Sequence, residues 1–530
     1  MTGLGAADLQ ILIRRLTGVA EEMGTVLRKA AFSPNIKERA DASAAVFTAE
    51  GELLVQAEHI PVHLGSMPAS VEAAIEAWGD RIEPGQQILL NDPYAGGTHL
   101  PDITLVAPCF VGERLMGWVA NRAHHADIGG AAPGSLPADA TDLAQEGMRF
   151  PPVVFSEDIR AMLLANTRTP AERAGDIDAQ VGANVLGVDR LAELATAPLD
   201  EVLDHGERLM RAALVAMPLG SWTFSDQLDS AGAADEHRSP VRIRVTVTRT
   251  DDEVAFDFAG TDPQTGGNVN AVEAVTHSAV VFALRSVLDP GVPANGGSLR
   301  PVRIHVPAGS VVGARPPAAV GAGNVEVSQR VADVCLGALA QAMPDRVGAA
   351  SQGTMNNVLI GGDGWVYYET VAGGQGGRPP RPGTLGPVAG MSGVHTGMTN
   401  TQNTPIEALE RAYPLRVRRL RLWPDSGGAG AARGGDGVER DLEVLEPVTV
   451  SLITERRSSQ PWGLAGGAAG RSGENWLFPA GDEDRARRLP DKVTLRLAPG
   501  DVLRLRTPGG GGWGPPKPMC FGSEWVTRPR

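Results

Sequence analysis

Apolar and polar residues follow two periods along this chain. Leu9, Ile11, Leu12, Leu16, Val19, Met23 and Leu27 recur every three or four residues, which predicts an amphipathic helix over 7 to about 31. "SAAVFTAEGELLVQAEH" then changes to two apolar runs about the turn "AEGE", a predicted hairpin. "SMPASVEAAIEAWGD" predicts a helix opened by serine and proline and closed by glycine. "GQQILLND" and "ITLVAPCFVGERLMGWVANRAHH" predict more strands, the second folding back at "VGER". Residues 155–216 return to helical spacing, and "SPVRIRVTVTRTDDEVAFDFAG" alternates strictly around Asp251 and Asp252, predicting a two-faced antiparallel hairpin. Helices predicted at about 272–289 and 327–343 flank "PVRIHVPAGSVV". Strand-and-turn sequence follows in "RDLEVLEPVTVSLITERR" and "DKVTLRLAPGDVLRLRTPGGGGWG". No fixed-period repeat occurs.

This order is not a regular alternation of strand and helix. It predicts an α+β fold: a mixed multi-layer architecture with antiparallel sheets and a helix-rich segment. A length of 530 residues allows about three domains. The expected division is 1–235, an α+β domain carrying the candidate site, 236–400, a central α+β domain, and 401–530, a β-rich domain. These boundaries are approximate, and the three can pack as one unit. Glycine dominates from 347, and "AGGQGGRPPRPGTLGPVAG" at 372–390 reads as the most linker-like stretch.

Composition narrows the classes. With 42% hydrophobic and 21% charged residues, the chain reads as an ordinary globular protein. No run of 18 apolar residues indicates a membrane span, and the start lacks a basic segment before an apolar core, so a cytoplasmic location is expected. A net charge of −14 argues against a nucleic-acid surface. The one basic run, "YPLRVRRLRLW", alternates Arg with apolar residues as a half-solvated strand does. Lysine occurs at 29, 37, 492 and 517, never in a Walker-type phosphate loop. "TPGGGGWGPP" is followed by Pro515 and Pro516 instead of a helix, so it does not read as a phosphate cradle either. Cys109, Cys335 and Cys520 are too far apart for a thiolate zinc site or a disulfide framework. No G-x-S-x-G elbow is present.

Candidate chemistry concentrates in "NDPYAGGTHLPD" and "ANRAHHADIGG". Imidazole and carboxylate bind Zn, Mn or Fe(II) while leaving positions open for water. Pro101 denies His99 and Asp102 a helix, and in a flat strand they would face apart. A turned or polyproline-like segment with about three residues per turn brings them to one side. His124 is the third candidate ligand and His125 the alternative; adjacent residues of an extended chain point to opposite faces, so one of them ligates. Asp127, like His125, can orient a ligand or carry a proton, or it can cap the glycine turn after it. Glu58, His59 and His63 in "QAEHIPVHLGSMP" are candidates for lining a substrate, loop hydrogen bonding being the competing role. The amide-rich loops "SQGTMNN" and "HTGMTNTQNTP" suit a neutral polar ligand such as a cyclic amide, or satisfy buried backbone.

These stretches, with "ERADASAAVF", "LANTRTPAERAGDIDAQVGAN", "AGNVEVSQRV", "MTNTQNTPIEALE", "ERRSSQPWGLAGG" and "TPGGGGWG", give the chain a resemblance to the hydantoinase B/oxoprolinase family. That family comprises the second subunit of ATP-dependent N-methylhydantoinases and the matching half of 5-oxoprolinases, with related subunits in acetone and acetophenone carboxylases. The resemblance implies a divalent metal held by His99, Asp102 and His124, and ATP used on a separate hydantoinase A-type subunit. It implies an ATP-dependent cyclic amide hydrolase (EC 3.5.2 type) acting as a hetero-oligomer; His125 and Asp127, from their place beside the expected ligands, are the catalytic candidates. The alternatives are a subunit of an ATP-dependent ketone carboxylase, a non-catalytic assembly subunit and a stand-alone amidohydrolase. Carboxylases resemble the chain but run longer in the matching subunit, which favours hydrolysis.

Overall fold

A computed structural model of the chain describes residues 4–57, 60–63, 65–235 and 237–516. The first sheet has six strands: β1 (Ala42–Thr48), β2 (Leu53–Ala57), β3 (Ile88–Leu90), β4 (Asp102–Val111), β5 (Arg114–His124) and β6 (Val153–Val154), in the order β2-β1-β5-β4-β3-β6. Every neighbour in it is antiparallel. Alternation decides what covers each face. Val46 and Val119 point to the helix Ala6–Ala30, which buries Leu9, Leu12, Leu16 and Met23 against them. Phe47, Trp118 and Val106 point the other way, onto Met67, Val71 and Ala74 of the helix Met67–Trp78. The helix Pro170–Ala192 lies beside the first helix, and its Gln180 and Asn184 reach down to the carbonyls of Ile103 and Leu105.

Strand β7 (Gly220–Leu228) opens a second sheet, β10-β9-β8-β7, with β8 (Val241–Arg249), β9 (Val254–Asp257) and β10 (Val302–His305); here β9 and β10 run parallel. The alternation around Asp251 and Asp252 thus forms the expected hairpin, β8–β9. Two further sheets interleave along the chain. One is β12-β11-β15-β18, from β11 (Asn357–Gly362), β12 (Trp365–Thr370), β15 (Val448–Ile453) and β18 (Lys492–Leu497). The other is β13-β14-β19-β16-β17, from β13 (Leu415–Trp423), β14 (Gly437–Val444), β16 (Glu474–Phe478), β17 (Arg487–Leu489) and β19 (Val502–Arg506). The architecture is α+β with antiparallel sheets, as expected. Strand pairing crosses both expected domain boundaries: β7 with β8 spans 235, and β11 with β15 spans 400. One apolar core runs from Ile60 to Ile453 across all three expected domains.

Of the stretch read as linker-like, 372–379 is packed structure, while 380–390 stays largely exposed. Residues 508–514 form the centre of an array in which positions three apart meet the same neighbour. Gly510 N and Trp513 N donate to Gly435 and Ala432, while Gly509 N and Gly512 N donate to Arg471 and Ala468. The carbonyls of Pro508 and Gly511 accept from Gly374 and Gly377, closing the third side. Three neighbours at a three-residue period is the packing of polyproline-II-like chains, in which the backbone has no internal hydrogen bonds and must find them outside. Only glycine fits: a Cβ on Gly434 would lie 1.9 Å from the Gly510 carbonyl oxygen, and one on Gly376 would lie 1.9 Å from that of Ala349.

Gly434→Ala is therefore expected to destabilise the fold by at least about 2 kcal/mol. Gly386→Ala, where a Cβ meets nothing within 4 Å, is expected to be neutral. Urea denaturation of the two variants measures the difference, and equal midpoints would show that the array is not close-packed.

Candidate metal centre

The centre begins with strand register. In the β4–β5 hairpin, Asp102 at the start of one strand is directly opposite His124 at the end of the other. The segment before β4 turns back: Asp102 N donates to the His99 carbonyl at 3.1 Å, so H-L-P-D is a turn that brings His99 and Asp102 to one side. Asn91 anchors that turn, donating to the Leu100 carbonyl at 2.8 Å and accepting from Phe150 N at 2.7 Å. Gly96 precedes it with φ +85°, where a Cβ would meet the Ala69 carbonyl oxygen at 2.2 Å.

The result is a triangle. His99 Nε2, His124 Nδ1 and Asp102 Oδ1 are each 3.2 Å from the other two. All three residues are buried, and their ligand atoms lie within the reach of one ion. Protons cannot reconcile this geometry. If both nitrogens donate to the carboxylate, two N–H groups face each other. If one nitrogen donates to the other, a bare nitrogen lone pair faces the carboxylate oxygen. One edge is repulsive in either arrangement, whereas a cation about 2.1 Å from each donor satisfies all three and puts them about 3.4 Å apart. The residues present fit a divalent metal.

Electrostatics agree with the geometry. Burial disfavours a charge on Asp102, but His99 and hydrogen bonds from His124 and His63 outweigh it and hold the carboxyl well below its usual range. His99 is also penalised by burial, yet the Asp102 charge raises its pKa; burial wins at His124 and lowers it. The other carboxylate oxygen of Asp102 accepts from Thr98 Oγ1 at 2.5 Å and Asn324 Nδ2 at 3.2 Å, with His63 Nε2 at 3.7 Å. Such contacts fix a ligating carboxylate in place. Tyr368 stacks on the His124 ring at 4.8 Å between centroids. Asp41, His63 and Asn324 line a cavity of about 20 Å³ beside Asp102 and His124, room for one water-sized occupant.

The other site candidates go elsewhere. His125 turns to the opposite face, beneath the helix Pro170–Ala192, where its Nε2 is 2.8 Å from Gln180 Oε1; burial lowers its pKa to about 4. The Asp127 carboxylate closes its own loop, accepting from the backbone of Gly129, Gly134 and Arg168 and pairing with the Arg168 guanidinium at 2.8 Å. Both expected catalytic candidates are thus held in hydrogen bonds away from the triangle, His125 against Gln180 and Asp127 within its own loop. His63 does reach the triangle. Glu58 and His59 lie outside the described residues.

Sequence reasoning missed Asn324, Tyr368 and Glu326. Asn324 and Glu326 sit on one turn of π-helix, Gly323–Val327, leading into the helix Ser328–Ala342. Glu326 Oε1 accepts from Asn357 Nδ2 at 2.9 Å, and Asn357 Oδ1 accepts from the Tyr368 hydroxyl at 2.9 Å. The signal was in "AGNVEVSQRV", but no spacing rule connects it to residues 222 positions earlier.

A family profile described as Hydantoinase B/oxoprolinase matches residues 6–516. Among curated proteins, the uncharacterized protein MJ0963 of Methanocaldococcus jannaschii is 39% identical over 94% of this chain and 88% of its own length. 5-Oxoprolinase 1 of Arabidopsis thaliana is 37% identical over 96% of this chain, which spans only 42% of that protein. A putative D-/L-hydantoinase subunit of Pseudomonas sp. is 32% identical over 96% of this chain and 90% of its own length. The solved ATP-dependent caprolactamase from Pseudomonas jessenii superposes with a TM-score of 0.87 at 27% identity, covering 97% of this chain and 92% of that one. Acetone carboxylase shares the fold, with a TM-score of 0.85 at 19% identity over 96% of this chain and 75% of that one. Among the described residues no helix is long and apolar enough to cross a membrane.

Burial, reinforced by the charge of Glu455, pushes the Glu326 carboxyl up to about 8. Its folded pKa exceeds the unfolded value, so its penalty sets in as pH rises from about 4.5 and is complete above about 8. Glu326→Gln, which keeps an accepting oxygen, is expected to stabilise the protein by about 1–3 kcal/mol at pH 9 and not at pH 4.5. Thermal unfolding at the two pH values checks this; a pH-independent difference would contradict it.

Proposed function

The chain belongs to the hydantoinase B/oxoprolinase family, and from that premise we propose that it is the metal-bearing subunit of an ATP-dependent cyclic amidase. Its substrate class is a lactam or imide ring, and its partner is a hydantoinase A-type ATPase subunit. The observation that carries this reading is the triangle of His99, Asp102 and His124, which only a cation satisfies on all three edges.

The division of labour follows from amide chemistry. An unstrained lactam is a poor electrophile, and phosphorylating its oxygen on the partner makes a good leaving group and couples ring opening to ATP. This chain then has to bind the activated ring, exclude bulk water and position a nucleophile. A divalent Zn, Mn or Fe ion held by His99, Asp102 and His124 supplies an acidified water, with a pKa of about 7, and a Lewis acid. Thr98 and Asn324 hold the Asp102 carboxylate in register, and Tyr368 fixes the plane of the His124 ring. The narrow, buried cavity keeps bulk solvent from the donors.

Hydrolysis is favoured over ketone carboxylation by the caprolactamase likeness, which carries sequence identity of 27% and covers 92% of that chain. The acetone carboxylase likeness, at 19%, speaks for fold alone. An assembly subunit without chemistry has no need of three buried ligands in mutual contact.

Purified protein is expected to hold close to one divalent ion per chain by plasma emission analysis. His99→Ala and His124→Asn lose the ion, while His125→Asn keeps it. With the ATPase partner, the two ligand variants lose turnover by more than about 100-fold while subunit association persists. A metal-free parent protein, or full activity in His99→Ala, would leave the assembly role standing instead.

A further inference from the structure

A second, open cavity of about 360 Å³ adjoins the triad cavity. Two segments form the partition between them, one around Pro61 and one around Thr399. Thr399 lines both sides; Pro61 faces the open pocket, while Ile60, Val62 and His63 face the triad. Gln329 pins the partition, donating to the Thr396 carbonyl at 3.3 Å and accepting from Met398 N at 3.2 Å.

Three arginines face this pocket: Arg346, Arg378 and Arg381. Arg378 is half-buried and Arg346 and Arg381 are exposed; two buried arginines elsewhere, Arg456 and Arg440, meet Asp226 at 2.7 Å and Glu369. The three in the pocket have no ion pair among the described residues. Arg346 donates only to the Val287 carbonyl, at 3.2 Å, and Arg378 Nε is buried without a partner. The carboxylate that lines the pocket, Asp333, is taken by Arg456 at 2.8 Å. Burial and the neighbouring Arg381 charge both lower the Arg378 pKa, so the pair is electrostatically uncompensated.

The local sequence places them on purpose-built backbone. In R-P-P-R the prolines enforce an extended conformation of about three residues per turn, so Arg378 and Arg381 project to one side. Arg378 pairs with Val388 through both backbone groups, and Arg381 N donates to Thr384 Oγ1 at 2.8 Å. The half-buried Arg378 is the least screened of the three and is disfavoured by the Arg381 charge, and guanidinium forks match the oxygens of carboxylate and phosphate.

We propose that Arg378 and Arg381, assisted by Arg346, form a cradle for an anionic oxyacid group that holds the ring substrate against the partition facing the triad. The proposal rests on the cyclic-amidase reading and deepens it. The anion has two sources: a carboxylate carried by the ring, or the phosphoryl group of the activated amide.

Calorimetric titration of the purified full-length chain separates the two. The probes are 5-oxoproline, its carboxylate-free counterpart 2-pyrrolidinone, and inorganic phosphate. In the parent protein at least one anion is expected to bind, and Arg378→Gln with Arg381→Gln is expected to weaken it by about tenfold or more. The paired Lys variants should recover part of the loss, and 2-pyrrolidinone should be unaffected by either change. Arginine-dependent binding of 5-oxoproline assigns a ring carboxylate, and of phosphate the activated group. The cradle is overturned if neither anion binds the parent at about 10 mM, if the Gln variants bind as the parent does, or if 2-pyrrolidinone falls equally. Metal content keeps the two ideas apart: arginine-dependent binding that persists in His99→Ala shows the cradle to be independent of the ion, whereas arginine-dependent binding to a parent protein that holds no metal would sink the metal centre and leave the cradle.

Discussion

The site depends on a frustrated contact: two imidazole nitrogens and one carboxylate oxygen, equidistant and buried, with no distribution of protons that suits all three edges. Backbone enforces it. The antiparallel register sets Asp102 opposite His124, and the turn at Pro101 delivers His99 to the same side. Because these placements belong to strand ladder and turn, the side chains cannot separate without slipping a hairpin whose faces are both covered by helices. A one-residue slip would exchange His124 for His125 and move every apolar residue of β5 to the wrong layer.

The same hairpin shows how a family pattern divides between chemistry and support. Arg122, two residues before His124 and on its face, is fully buried and spends its guanidinium on Thr104, Ser66 and Ser70. Asp176 of "GDIDAQVGAN" accepts from the backbone of Phe32 and Ser33, while Gln180 and Asn184 bind Asn121 and the sheet. Glu455 of "ERRSSQPWG" pairs with Lys492 and Arg330, two other buried charges. Much of what makes the sequence recognisable is therefore polar structure in the core, which needs defined partners because unpaired burial is costly.

What the sequence disclosed followed the range of the interactions. Periodicity located the long helices and the hairpins, since those depend on neighbours within a few residues. The turned geometry of His99 and Asp102 was legible from Pro101, and strand alternation required that one of His124 and His125 be excluded. Which one, and the arrival of Asn324 and Tyr368 from beyond residue 320, depended on tertiary packing that no local rule encodes. The packed part of the linker-like stretch, 372–379, was misread for a physical reason. Glycine and proline signal flexibility when a chain is alone, but three or more such segments side by side exchange hydrogen bonds at a three-residue period and become rigid. Gly348 and Gly376 belong to that packed region and also border the open pocket, so Arg378 is mounted on packed backbone and Arg381 follows it on exposed chain.

Charge around the centre is arranged to match this mounting. Burial pushes Glu146, which caps the loop at Val320 and Gly321 near His99, up to about 7, and Glu326 up to about 8. At neutral pH Glu326 is therefore mostly protonated and Glu146 partly so, while Asp102 is held ionised. Were a dication bound at the triangle, Asp102 and Asp41 would be the carboxylates lining its cavity, while across the partition Arg378 and Arg381 carry no ion pair among the described residues. Guanidiniums left without a counter-ion favour an anion on their side of the partition. A pocket meant only for a neutral ring would gain nothing from that polarity; a ring bearing a phosphoryl or carboxyl group would be oriented by it.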